Sequence, residues 1–136
     1  MRSDGQMAPV AIRVPLTTAA AASIRHAIAD ALAGHVSNRM VADAQLVLSE
    51  LVTNSVRHAR VDDGAVLRIA ASLAGGVLRL EVVDGGRTGA VVARPPTMTG
   101  GGFGLNLVEM LSRAWGVDRD GSTRVWVEMV AGPARV

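Results

Sequence analysis

The chain contains no cysteine, no lysine and no tyrosine. Without cysteine, disulfides, thiol catalysis and cysteine-based zinc sites are all excluded. Without lysine, all fourteen basic residues are arginine. Together with a bias toward Ala, Gly and Val, we read this as the coding signature of a GC-rich bacterial genome. The same absences account for a pI near 10.9. Net charge is only +2, and almost nothing here titrates between histidine and arginine. Aromatics are nearly missing: Phe103, Trp115 and Trp126 are the whole set. Scattered arginines without stacking aromatics argue against direct nucleic-acid binding. Long hydrophobic runs are lacking as well, and the N-terminus has no basic region leading into an apolar core. We therefore expect no membrane segment and a cytoplasmic location.

What is present is an apolar chain of 136 residues, 49% hydrophobic. That length suits one domain around one core, built here from Ala, Val, Leu, Ile and Met. Residues 1–9 read as a loose tail and residues 10–136 as a single domain. Val10 to Val14 predicts a strand ending at Pro15. Thr17 or Thr18 can cap an alanine-rich helix running to Ala33, where Gly34 stops it. Ser37 or Asn38 caps a second helix that ends near Arg60. Ala65 to Leu73 and Val77 to Val83 alternate as strands of a hairpin across Gly75-Gly76. Residues 85–102 form an aperiodic, glycine-bearing loop, long enough to be a lid over a site. Phe103 to Ala114 predicts a third helix. Val117 to Asp120 and Thr123 to Val130 predict a closing strand pair. This order implies an α+β two-layer sandwich: a mixed, mostly antiparallel sheet with helices on one face.

Three segments carry the chemistry. On the second helix, Glu50, Asn54 and His58 recur every four residues and line one side, drifting by about 40° per step. Leu48, Leu51, Val52, Ser55 and Ala59 take a different side and can face a core. A carboxylate, a carboxamide and an imidazole in a row are costly to bury unpartnered, so this helix should border a polar ligand site. Asp84-Gly85-Gly86 emerges at a strand end. Gly100, Gly101, Gly102 and Gly104 surround the start of the third helix, where uncovered backbone amides favour phosphate anions.

In this order, the three segments resemble the ATPase fold shared by DNA gyrase, histidine kinases and MutL-type proteins. The forms Glu50-Leu-Val-Thr-Asn-Ser-Val-Arg-His58-Ala59, Trp115-Gly116-Val117 and Val125-Trp126-Val127-Glu128 are similar to the bacterial anti-sigma-factor, serine-protein-kinase branch. The resemblance covers roughly residues 10 to 130. It implies ATP and Mg²⁺ as cofactors, Asn54 as the magnesium ligand, Glu50 as general base, and Asp84 as acceptor from the adenine amine. Gly86 would leave room for the base, and Gly100, Gly101, Gly102 and Gly104 would hold phosphates. His58 is left with two roles, contact with the nucleotide or closure of the helix end. Thr123 likewise has two, a donor to phosphate or a plain hairpin residue. The family often carries a further glycine where this chain has Thr88, with Gly89 one place later. Arg25 lies on a helix that this branch uses for partner contact. The implied partners are a sigma factor and an anti-anti-sigma protein, with a homodimer left open. The implied activity is ATP-dependent serine/threonine protein kinase. The alternative is a non-catalytic ATP-sensing module that binds a partner and turns nothing over. The two tryptophans are expected in core or edge packing.

Overall fold

The computed structural model describes residues 7–15, 17–58, 66–84, 103–119 and 123–130. Of the expected tail only residues 7–9 are described, and these are not loose but already strand, since Met7 pairs with Leu73 across the sheet. The long loop at 85–102 lies outside the described residues. The elements run β1 (Met7–Pro15), α1 (Ala20–Leu32), α2 (Asn38–His58), β2 (Val66–Ala74), β3 (Val77–Asp84), α3 (Phe103–Leu111), β4 (Ala114–Arg119) and β5 (Thr123–Val130). The five strands form one sheet in the order β1-β2-β3-β5-β4. Every strand pair in it is antiparallel, so the expected parallel component does not occur among the described strands. The α+β two-layer architecture is as the sequence predicts.

One face of the sheet is apolar by strict alternation. Leu67, Ile69, Ala71 and Leu73 of β2, Leu78, Leu80 and Val82 of β3, and Val127 and Met129 of β5 are all buried. Against them lie Ile24, Ile28 and Leu32 of α1, Val47, Leu48, Leu51 and Val52 of α2, and Val108 of α3. The core is a single cluster without a buried charged or polar residue among the described ones. Aliphatic side chains fill it, as the scarcity of aromatics requires.

Helix starts differ in one case from expectation. Ser37 caps α2 as foreseen, its Oγ accepting from the Met40 amide at 3.1 Å. Helix α1, however, has Ala19 at its cap position and no side-chain cap. Thr17 Oγ1 is taken instead by the Ala19 amide at 3.2 Å, a tight local turn two residues long. Its carbonyl accepts from Ala20 at 3.0 Å, so the threonine shapes the approach and the helix begins later. The β2–β3 hairpin turns across Gly75 (φ 60°) and Gly76 (φ 79°). A two-residue turn with both φ positive matches the strand twist and needs glycine-like freedom at both places.

The chain after α3 departs most from the sequence reading. The helix ends at Leu111 and not at Ala114, and the following strand starts at Ala114 instead of Val117. The Arg113 amide donates to the Glu128 carbonyl at 2.8 Å, so the sheet captures the backbone here. Trp115 then pairs with Val127 and Val117 with Val125, extending the period-two pattern backwards. Ladder pairing with β5 outweighs three more residues of helix.

The two tryptophan motifs meet on the open side of the sheet. Gly116 lies opposite Trp126 in the β4–β5 register. A Cβ on Gly116 would come within 2.7 Å of Trp126 Cζ2. The Arg79 guanidinium covers the same ring at 4.8 Å from its centroid. Arg79 also donates to Glu81 at 2.9 Å and to Glu128 at 3.0 Å. Burial disfavours its charge, but these two carboxylates more than offset that and raise its pKa. The ring therefore lies between the Arg79 guanidinium and the Gly116 backbone. Gly116→Ala should cost about 1–3 kcal/mol in urea unfolding, the usual cost of overpacking. A loss below about 0.5 kcal/mol would show that the ring shifts freely.

Candidate functional site

Helix α2 separates two chemistries along its length. Val47, Leu48, Leu51 and Val52 are buried against the sheet. Glu50, Asn54 and Ser55 are half-buried, and Thr53 is exposed. Glu50 and Asn54 thus lie on the seam between core and solvent, where a polar side chain keeps access to a ligand without full desolvation. Among the described residues no ion pair is formed by Glu50. His58 is the last residue of α2 and only its backbone is described.

One neighbour of this stripe was not legible in the sequence as part of it. Arg25 of α1 reaches across to Ser49, its Nη1 donating to Oγ at 3.5 Å. The Gln45 side-chain amide donates to the Arg25 carbonyl at 3.0 Å. These contacts tie α1 to the turn of α2 that carries Glu50. Only packing of residues 24 apart creates the pairing, so no local pattern could have announced it.

The sheet supplies the second part. Asp84 closes β3 and is paired with Thr123, the first residue of β5, and with Leu67 on its other side. Residues directly opposite in an antiparallel pair have Cβ atoms about 5 Å apart. Asp84 and Thr123 therefore belong to one end of the sheet. Gly104 falls within the first turn of α3. Gly86, Gly100, Gly101 and Gly102 lie outside the described residues, as does Ala59.

Among the described residues, no three His, Cys, Asp or Glu side chains converge on a metal position. Asn54 offers one neutral oxygen. That donor set fits Mg²⁺ arriving with phosphate oxygens and water, and it does not fit an ion caged by protein alone. Among the described residues no helix is long and apolar enough to cross a membrane.

Ten chains among solved structures match this one. One is the histidine kinase domain of the blue-light activated histidine kinase of Erythrobacter litoralis EL346, with a TM-score of 0.53 and 23% sequence identity. The match covers 87% of this chain and 62% of that one, so this chain spans less than two thirds of the neighbour's length. At that identity the likeness concerns the fold. Among curated proteins, none matches. The model of the histidine kinase-like ATPase domain matches residues 14–131, and the chain therefore belongs to that family.

Proposed function

We propose that this protein binds ATP as its magnesium complex and transfers the γ-phosphoryl group to a serine of a partner protein, as an anti-sigma-factor kinase would. The observation that carries this reading is the half-buried Glu50–Asn54 stripe at the edge of the core, in a chain of the histidine kinase-like ATPase family.

Asn54 gives its amide oxygen to Mg²⁺, which neutralises charge on the phosphates when bound. Glu50, one turn earlier, is the general base. It accepts the proton of the serine hydroxyl while that oxygen forms a bond to the γ-phosphorus. The bond between this phosphorus and the bridging oxygen of ADP breaks, and the oxygen keeps the electron pair. Arg25, tied to the same turn through Ser49, belongs to the surface that receives the partner. That partner is an anti-anti-sigma protein as phosphate acceptor, or a sigma factor held without transfer. His58 closes the helix beside the nucleotide, and Gly86, Gly100, Gly101, Gly102 and Gly104 give backbone access to base and phosphates. The protein would act in the cytoplasm.

Asp84 accepts a hydrogen bond from the exocyclic amine of adenine. Its cross-strand pairing with Thr123 favours a role for Thr123 at the base end of the nucleotide over one at the phosphates. Guanine presents a carbonyl where adenine presents the amine, and an unpaired buried polar group costs about 1–3 kcal/mol. ATP should therefore bind at least about tenfold tighter than GTP, and Asp84→Asn should erase that preference. Equal affinities in the wild type, measured by calorimetry, would remove Asp84 from the site. The kinase reading itself is tested by incubating the protein with γ-labelled ATP and purified anti-anti-sigma proteins. Label on a partner serine supports it. ATP binding with no transfer to any of them would leave a nucleotide-sensing binding module in its place.

A further inference from the structure

The face of the sheet away from the helices is ordered by its register into rows. One row runs Arg13 of β1, Arg68 of β2, Val83 of β3, Arg124 of β5 and Asp118 of β4. Arg13 and Arg68 are direct cross-strand partners, and both are exposed. The next row places Ala11 beside Ala70, so small side chains border the two guanidinium groups. Elsewhere on this face, among the described residues, the charges are matched. Glu81 meets Arg79 at 2.9 Å and Arg124 at 3.7 Å, and Glu128 meets Arg79 at 3.0 Å and Arg113 at 3.2 Å. Among the described residues, no carboxylate meets Arg13 or Arg68.

Like charges directly opposite each other destabilise an antiparallel pair. A charge on an edge strand can be explained as protection against edge-to-edge pairing, which accounts for Arg13 on β1. It does not account for Arg68, because β2 is an interior strand. We propose that Arg13 and Arg68 form a docking surface for a short, extended, glutamate- or aspartate-rich segment of a partner protein. Two adjacent guanidinium forks suit carboxylates, each of which can be held bidentately. From Arg13 to Arg68 is one strand spacing, about 5 Å, within reach of two carboxylates on one short extended segment. A long polyanion would overrun this corner and meet Glu81, Glu128 and Asp118. Nucleic acid would also lack a base-stacking platform, since Trp126 is covered by Arg79 on one side and closed by Gly116 on another. The inference stands apart from the phosphoryl-transfer reading, because it uses the opposite face of the sheet.

The test is fluorescence polarisation with a labelled glutamate-rich peptide, at low and at moderate salt. Saturable binding that weakens with salt is expected. Arg68→Gln and Arg13→Gln should each weaken it by about three- to tenfold, and the Arg13→Glu, Arg68→Glu double variant should abolish it. Arg68→Gln should also leave the unfolding midpoint unchanged or raise it, since it relieves repulsion. A lower midpoint would mean that Arg68 is paired within the chain, and would overturn the proposal. So would equal binding by wild type and Arg68→Gln, or equal binding of a serine–glycine peptide. Tighter binding of oligothymidylate or of phosphatidylserine vesicles would assign the corner to nucleic acid or to a membrane instead. A wild type that binds no acidic peptide would show that the corner does not receive one. That result too would overturn the proposal.

Discussion

Glu50→Ala should reduce phosphoryl transfer to the partner serine by about 10²–10⁴-fold while leaving ATP affinity near that of wild type. The asymmetry follows from where Glu50 lies. It is half-buried on the rim of α2, among the described residues it joins no ion pair, and its charge has the sign of the ligand's. A carboxylate so placed contributes little to holding an anionic nucleotide, and its removal relieves repulsion with the phosphates. As the proposed general base, it would instead supply a proton acceptor at the moment the hydroxyl attacks. Single-turnover transfer from labelled ATP, with binding measured separately by calorimetry, reads the two quantities apart. Equal transfer by the variant would show that another group takes the proton. Transfer by neither protein, with partner binding unchanged, would identify a sensor.

Asn54→Ala should have the next largest effect and of the opposite kind, on nucleotide affinity in the presence of Mg²⁺. As the proposed magnesium ligand, Asn54 would supply one neutral oxygen, and no cluster of carboxylates or imidazoles among the described residues could substitute for it. Loss of a ligand from so sparse a set should weaken magnesium-dependent ATP binding by at least about 10–100-fold. Binding without the metal should change little. The fold should persist, because the side chain is half-buried on the rim while Leu51 and Val52 of the same turn hold the core. Calorimetry with and without Mg²⁺, beside a circular dichroism melt, separates a lost ligand from a lost fold. Equal metal-dependent affinity in both proteins would take Asn54 out of the coordination shell.

Much of this was legible in the residues because it is set by neighbours within a few positions. The Ser37 cap and the two-glycine hairpin at Gly75-Gly76 depend on contacts inside one turn of chain, and the apolar spacing of α2 is set by helical period alone. The four-residue spacing of Glu50, Asn54 and His58 is likewise a property of any helix. The order of elements then sufficed for the α+β sandwich, since alternating strands and amphipathic helices must bury their apolar sides against each other.

What the sequence left open was decided by partners far away along the chain. Ala114 to Gly116 could have continued α3, and only the Arg113 amide on the Glu128 carbonyl and the pairing with β5 made them strand. Thr17 looked like a helix cap until its hydroxyl was claimed by Ala19. The Trp-Gly and Val-Trp motifs read as separate signatures, and register turned them into one contact between Gly116 and the Trp126 ring. Register also set Thr123 beside Asp84 and Arg13 beside Arg68. Local propensity chooses what each segment can be. Which side chains face one another follows from strand pairing and packing, whose partners only the folded chain brings together.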